Sequence, residues 1–366
     1  MKSIRAIINR TPAATRYRYK LTVIIAGGWT LLDLLYLLAR VNIEGLSEER
    51  NIFDYTPIDA ILLRAAIVFT MSSVMATLLL FQAPRQLDST LIVNFVVKTL
   101  WLILLAFLMN CLIHFSYSLL IQQHSLGASL DNLVSDLFYS PWVLQKLPTW
   151  LLIFVLLQLI VEMMKKYSPG IFFDVLFGKY RHPIVENRII MFIDLKDSTP
   201  IAEKLGHVDY FRFIRRFINY VSTALIQHNG RIYQYVGDEI VVSWLFTPRN
   251  AKRCMEALIE TRKLLQKNGE SFRRDFGIIP EFRVGIHIGE VTVGEIGMIK
   301  KDLAMSGDTM NTTARIRSAC SELNQKFIVS KIVIDTLDLK DWQSESLGVV
   351  DLKGKTSGIE LFALKI

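Results

Sequence analysis

Apolar residues follow two regimes along this chain. Up to about residue 166 they come in long blocks, approximately Leu21–Arg40, Ile58–Phe81, Leu91–His114 and Pro148–Met164. Each approaches or exceeds the roughly 20 residues a helix needs to cross a bilayer, and the last is the shortest. From residue 188 the blocks shrink to strand length. Ile189–Ile193 reads as a buried strand ending at Asp194, with Ser198 and Thr199 as helix-start residues. Tyr210, Phe213, Ile214, Phe217, Val221 and Leu225 then recur at helical spacing as far as Asn229-Gly230, a stripe that faces a core. Ile232–Val236 and Ile240–Trp244 read as two strands joined by a tight Gly237-Asp238 hairpin. A helix over Asn250–Gln266, two short strands joined around Gly289, a helix opening at Ser306–Arg315 and a terminal strand at Ile359–Leu364 follow.

This pattern predicts a membrane α-helical bundle of four transmembrane helices followed by an α/β ferredoxin-like domain, the order β-α-β-β-α-β with extra strands. The divisions fall at a basic arm (1–20), the transmembrane part (21–166), a linker (167–187) and the soluble domain (188–366). In the linker, Ser168-Pro169 opens and Gly178 closes a short aromatic helix.

Charge refines the picture. The formal net charge is +8, which by itself would suit nucleic acid. Its placement points instead to membrane topology. Met1–Lys20 carries six basic residues and no acidic one, the loop after the first span is acidic (Glu44, Glu48, Glu49, Asp54), the second loop carries Arg85, the third carries Asp131 and Asp136, and Lys165-Lys166 follow the fourth span. The alternation puts both termini in the cytoplasm of a multi-pass protein of the plasma or inner membrane, with no nucleic-acid partner. The first apolar block is too long, and lacks the cleavage pattern, for a secretory signal. Inside the spans, Asp33 and Arg64 reach similar depth and are expected to pair; Lys98 and Glu162 lie near the cytoplasmic face and would pair or snorkel. Cys111, Cys254 and Cys320 are too far apart for a disulfide framework or zinc spacing.

Chemistry concentrates at two places where an apolar run stops on a carboxylate: Phe192-Ile193-Asp194-Leu195-Lys196-Asp197-Ser198-Thr199 and Tyr235-Val236-Gly237-Asp238-Glu239. An aspartate after a strand is commonly a turn or cap residue. If the hairpin pairs beside the first strand, however, Asp194 and Asp238 converge, and two such carboxylates suit a pair of Mg²⁺ ions engaged in phosphoryl transfer. Asn311 and Arg315, four apart, share a helical face. Leu352-Lys353-Gly354-Lys355 precedes the last strand.

Through these motifs, Arg188–Ile366 resembles the catalytic domain of a class III nucleotidyl cyclase, the adenylate/guanylate cyclase family. The resemblance implies that Asp194, Asp238 and the Ile193 backbone carbonyl bind two Mg²⁺ or Mn²⁺ ions per active site. It implies that Asn311 and Arg315 act on the ribose and phosphates in the transition state and that Lys353 binds phosphate. In this family the metal ligands come from one chain and the asparagine, arginine and base readers from another, so the resemblance also implies a homodimer. The implied function is conversion of a nucleoside triphosphate, ATP first, to a 3′,5′-cyclic nucleotide and pyrophosphate in intracellular signalling. The base-reading positions depart from the family: Gln234 stands where lysine or glutamate is usual, and Ala304 where aspartate, threonine or cysteine is usual. Neither purine code is met, so guanine and pyrimidine substrates stay open. The alternative function is a membrane receptor whose cyclase-like domain binds nucleotide without turnover.

Overall fold

A computed structural model of the chain describes residues 13–44, 58–81, 91–139, 142–165, 171–299, 301–337, 344–351 and 358–366. The described residues separate into two compact units, one up to Lys165 and one from Ile171 to Ile366.

The first unit is helical: α1 (Ala13–Glu44), α2 (Ile58–Phe81), α3 (Leu91–Leu120), α4 (Leu126–Tyr139) and α5 (Trp142–Lys165). Among the described residues, three stretches are long and apolar enough to cross a membrane: Arg18–Leu37, Ile58–Phe81 and Ile92–Leu120. The fourth expected span, Pro148–Met164, falls within α5 as a shorter apolar run, Trp150–Met164; the helix begins earlier, but its N-terminal part is more polar and includes Pro148. Leu31, Leu35, Ile92, Leu100, Trp101 and Leu152 are each at least half exposed, a greasy exterior of the kind that marks a membrane or partner surface. The expected pair forms. Arg64 donates from Nε to Asp33 Oδ2 at 2.7 Å and from Nη2 to Asp33 Oδ1 at 2.8 Å, a two-pronged contact suited to a low-dielectric setting. Lys98 Nζ stands 3.8 Å from Glu162 Oε1. Helix α4 occupies the acidic connection between the third and fourth apolar blocks. Its Leu126, Leu130, Val134 and Phe138 lie exposed at four-residue spacing, while Ser129 on another side is buried.

The second unit runs α6 (Ile171–Leu176), β1 (Ile184–Leu195), α7 (Ser198–Gln227), β2 (Arg231–Val236), β3 (Glu239–Leu245), α8 (Pro248–Lys267), α9 (Gly269–Phe276), β4 (Phe282–Ile296), β5 (Asp302–Ser306), α10 (Asp308–Glu322), β6 (Phe327–Ser330), α11 (Lys331–Thr336), β7 (Ser344–Val350) and β8 (Ile359–Leu364). The sheet order is β2-β3-β1-β4-β6-β8-β7, with β5 added against β4. The first four strands alternate with α7 and α8 in the expected β-α-β-β-α-β order, and β1 pairs antiparallel with both β3 and β4. Because β1 is central, both its faces are covered, which is why it reads as an unbroken apolar run. Ile189, Met191 and Ile193 enter the larger core with Phe213, Phe217, Val221 and Leu225 of α7, and Ile190 and Phe192 enter a second core with Tyr180, Val241 and Met305. Burying one such side chain is worth about 1.5–3 kcal/mol.

Two details differ from the elements expected of the sequence. β4 is one continuous strand, not two strands joined at Gly289: Gly289 pairs with Arg188 within it, and the Thr309 hydroxyl donates to the Glu290 carbonyl beside it. α7 is broken at Gly206, whose φ is 71°. In the linker, Ser168 and Pro169 lie outside the described residues, while α6 ends as expected ahead of Gly178 (φ 73°). This linker is tied to the sheet. Asp174 accepts from Arg231 Nη1 at 3.0 Å, and the fully buried Arg188 guanidinium donates to Glu186, to Ser243 Oγ (2.9 Å) and to the Tyr180 hydroxyl (3.3 Å).

Candidate active site

The register of the central strands builds the site. Ile193 pairs with Ile240 across β1 and β3, so the end of β1 stands beside the hairpin joining β2 and β3. That hairpin turns at Gly237-Asp238; Gly237 has φ 63°, the left-handed conformation a two-residue hairpin demands at its first central position. The register thereby places Asp238 beside Asp194 at the same end of the sheet, close enough for its charge to act on the Asp194 carboxyl. Asp238 Oδ2 is buried with no hydrogen-bond partner among the described residues. A buried, unpartnered carboxylate oxygen is costly unless something positive completes it. The orphaned oxygen and the hard-oxygen donor set fit Mg²⁺ or Mn²⁺. Among the described residues no group of three or more His, Cys, Asp or Glu is arranged to hold a metal ion, so a cation there would have to be held by this pair together with backbone oxygen or its own waters.

Two neighbours escaped the sequence reading. Glu239 follows Asp238, and Arg317 reaches from α10 to both carboxylate positions: Nη1 is 3.3 Å from Asp194 Oδ2, and Nη2 is 2.6 Å from Glu239 Oε2. The signal for Arg317 was present. It sits four residues after Thr313, on the flank of the small and apolar stripe Thr309, Thr313, Ile316 and Cys320 that packs α10 on the sheet.

The other expected residues lie apart from this cluster. Asn311 is exposed and Arg315 half-buried on α10, and among the described residues neither makes an ion pair or hydrogen bond with Asp194 or Asp238. Gln234 lies on β2 and Ala304 on β5. Their strands are tied together beside them, since the Met305 amide donates to the Tyr233 hydroxyl at 3.1 Å, and a bulge in β2 between Ile232 and Gln234 frees Tyr233 to make that contact. Lys353 lies outside the described residues.

Burial pushes the Asp194 carboxyl up to about 6 from an ordinary 3.8; the nearby Asp238 and Glu239 add to the rise, and Arg317 opposes it. A carboxyl that holds its proton more tightly folded than unfolded favours the folded state most below its unfolded value, and that contribution disappears as pH rises through the folded one. In chelator, the thermal midpoint of Asp194→Asn is therefore expected to gain on that of the wild type as pH rises from about 4 to about 7. Parallel pH profiles for the two proteins would contradict this environment for Asp194.

Comparison with known proteins points to one family. An adenylate cyclase ("Adenylate cyclase 2") of Rhizobium meliloti (strain 1021) is 29% identical over 196 residues, covering 53% of this chain and 54% of that protein. An adenylate cyclase of Anabaena cylindrica is 26% identical over 185 residues, covering 48% of this chain and 36% of that protein. The chain thus spans about half of the first relative and about a third of the second. The structure of a bacterial light-regulated adenylyl cyclase superposes with a TM-score of 0.53 at 18% identity, covering 61% of this chain and 65% of that one, a likeness of fold. The family model "Adenylate and Guanylate cyclase catalytic domain" matches residues 181–365. By that match, which takes in half its length, the chain belongs to the adenylate and guanylate cyclase family.

Proposed function

We infer that this protein is a membrane-anchored nucleotidyl cyclase that converts a nucleoside triphosphate, ATP first, into its 3′,5′-cyclic nucleotide and pyrophosphate at sites completed by a second copy of the chain. The observation that carries the reading is the meeting of Asp194 and Asp238 with an orphaned Asp238 oxygen, at the end of the strands where the family's catalytic domain is matched.

Asp194, Asp238 and the Ile193 carbonyl would hold two divalent cations, which when bound supply activation of the ribose 3′-hydroxyl and neutralisation of the triphosphate. In the reaction the 3′-oxygen forms a bond to the α-phosphorus, the bond from that phosphorus to the bridging oxygen breaks, pyrophosphate leaves, and the hydroxyl proton passes to solvent. The rest of the work is positioning and charge. Arg315 of a second copy offsets charge gathering on the transferred phosphoryl group, Asn311 orients the ribose, and Lys353 binds phosphate. Gln234 offers an amide that both donates and accepts, as an adenine edge requires, while Ala304 offers only backbone groups. ATP is favoured by this amide and by the names of the two relatives.

The membrane reading rests on the three long apolar helices, with α5 as the fourth crossing and both termini cytoplasmic. The dimer reading gains support from apolar side chains left exposed on the catalytic unit: Met298 and Ile299 between β4 and β5 are 94% and 100% exposed, and Phe211, Tyr235 and Val236 are exposed as well. Membranes bearing the full chain, incubated with Mn²⁺ and each of the four labelled nucleoside triphosphates in turn, are expected to release cyclic AMP as the main product. A different cyclic product would move the base assignment. No cyclic product from any of the four would favour the silent receptor.

A further inference from the structure

We propose that Arg317 is a built-in counter-ion of the metal site: it holds Asp194 while the site lacks metal, yields it when a divalent cation arrives, and stays anchored on Glu239. The inference rests on Asp194 and Asp238 being the metal ligands. Three carboxylates meet at this corner, and the Arg317 guanidinium touches two of them, 2.6 Å from Glu239 and 3.3 Å from Asp194. The contact with Asp194 is a long hydrogen bond from Nη1 and is the one a metal ligand must give up; the shorter contact with Glu239 is an ion pair that needs no aligned N–H to persist.

The guanidinium is held in place without being locked. Its Nε is buried with no acceptor among the described residues, and Glu239 Oε2, close as it is, receives no aligned N–H. An arginine whose donors were all spent would resist displacement; this one has a donor in reserve. Its charge cannot be discharged by losing a proton, so an arriving cation must push it aside or coexist with it. The backbone beneath it cannot follow. A Cβ on Gly285 of β4 would lie 2.5 Å from the Arg317 amide nitrogen, so the helix presses on the strand there and the exchange falls to the side chain. In the metal-free protein Arg317 offsets the repulsion among the carboxylates; in the loaded protein its charge opposes the cation.

The two partners of the Arg317–Glu239 pair should therefore affect metal binding with opposite signs. Binding of Mn²⁺ alone, without nucleotide, is measured on the full chain in detergent by the electron paramagnetic resonance signal of the free ion. Arg317→Gln is expected to bind about tenfold more tightly than the wild type, the effect of removing one nearby positive charge. Its thermal midpoint in chelator should fall, and saturating Mn²⁺ should restore it. Arg317→Lys, which keeps the charge, should bind nearly as the wild type does. Glu239→Gln removes the anchor, leaves Arg317 on Asp194, and should bind several-fold more weakly. Equal or weaker binding by Arg317→Gln overturns the proposal, as does unchanged or tighter binding by Glu239→Gln should the arginine variant fail to fold. Absence of Mn²⁺ binding to the wild type, with no cyclic product, overturns the ligand assignment itself and this inference with it.

Discussion

Alanine in place of Asp194 or of Asp238 is expected to lower cyclic-nucleotide formation at least about a thousandfold while the chain still folds. The size follows from the several kcal/mol of charge stabilisation that leave with a metal site, at one factor of ten for each 1.36 kcal/mol. Folding should survive because neither side chain is part of the packed cores: both stand where strands end, and their mutual proximity costs the metal-free protein stability. The alanine variants should therefore match or exceed the wild type in thermal midpoint when chelator is present, and only the wild type should gain stability on addition of Mn²⁺. Cyclic product by chromatography and melting curves with and without metal measure both halves. Near-wild-type turnover in either variant would remove the two-metal reading, and a collapse of folding would mean that the pair is structural.

The frame of this site was legible in the sequence for a physical reason. A central strand covered on both faces must be apolar throughout, so Ile189–Ile193 announced β1 and fixed the place where its run ended on Asp194. Gly237-Asp238 between two apolar runs announced the hairpin, since a two-residue turn needs a residue tolerant of positive φ. The depth of Asp33 and Arg64 in neighbouring helices predicted their pairing. What stayed hidden was set by tertiary contact and not by local pattern. Arg188 reads as the polar start of a strand, yet it is fully buried, held by Glu186, Ser243 and Tyr180 from three segments. Gly289 reads as a break, yet β4 passes straight through it because the strand pairs with β1 without interruption from Phe282 to Val293. Helix α4 was missed because it is short and its exposed apolar residues belong to no long block. Arg317 was passed over because only the packing of α10 on Gly285 aims its side chain at Asp194.

That same helix yields the second large effect. α10 delivers Arg317 to the carboxylates of its own chain, yet among the described residues Asn311 and Arg315, six and two residues earlier and on other faces of the helix, make no hydrogen bond or ion pair with them. One helix cannot turn two different faces to the same carboxylates. If Asn311 and Arg315 serve catalysis, they serve the site of a second copy. Asp238→Ala and Arg315→Ala should then each lose about a thousandfold in activity when expressed alone, yet recover when expressed together. A mixed dimer gathers both lesions into one site and leaves the other intact, with Asp238 from the arginine variant and Arg315 from the aspartate variant. With random pairing, half the dimers are mixed and each carries one working site of two, so the co-expressed pair should reach about a quarter of wild-type activity. Sites built within a single chain would stay dead in every combination, because each chain would carry its own lesion into its own site. Rescue to about a quarter therefore reports the shared site directly; absence of rescue in co-purified mixed dimers would mean that each site is built within one chain, and full activity of Arg315→Ala alone would place Arg315 outside the catalytic machinery.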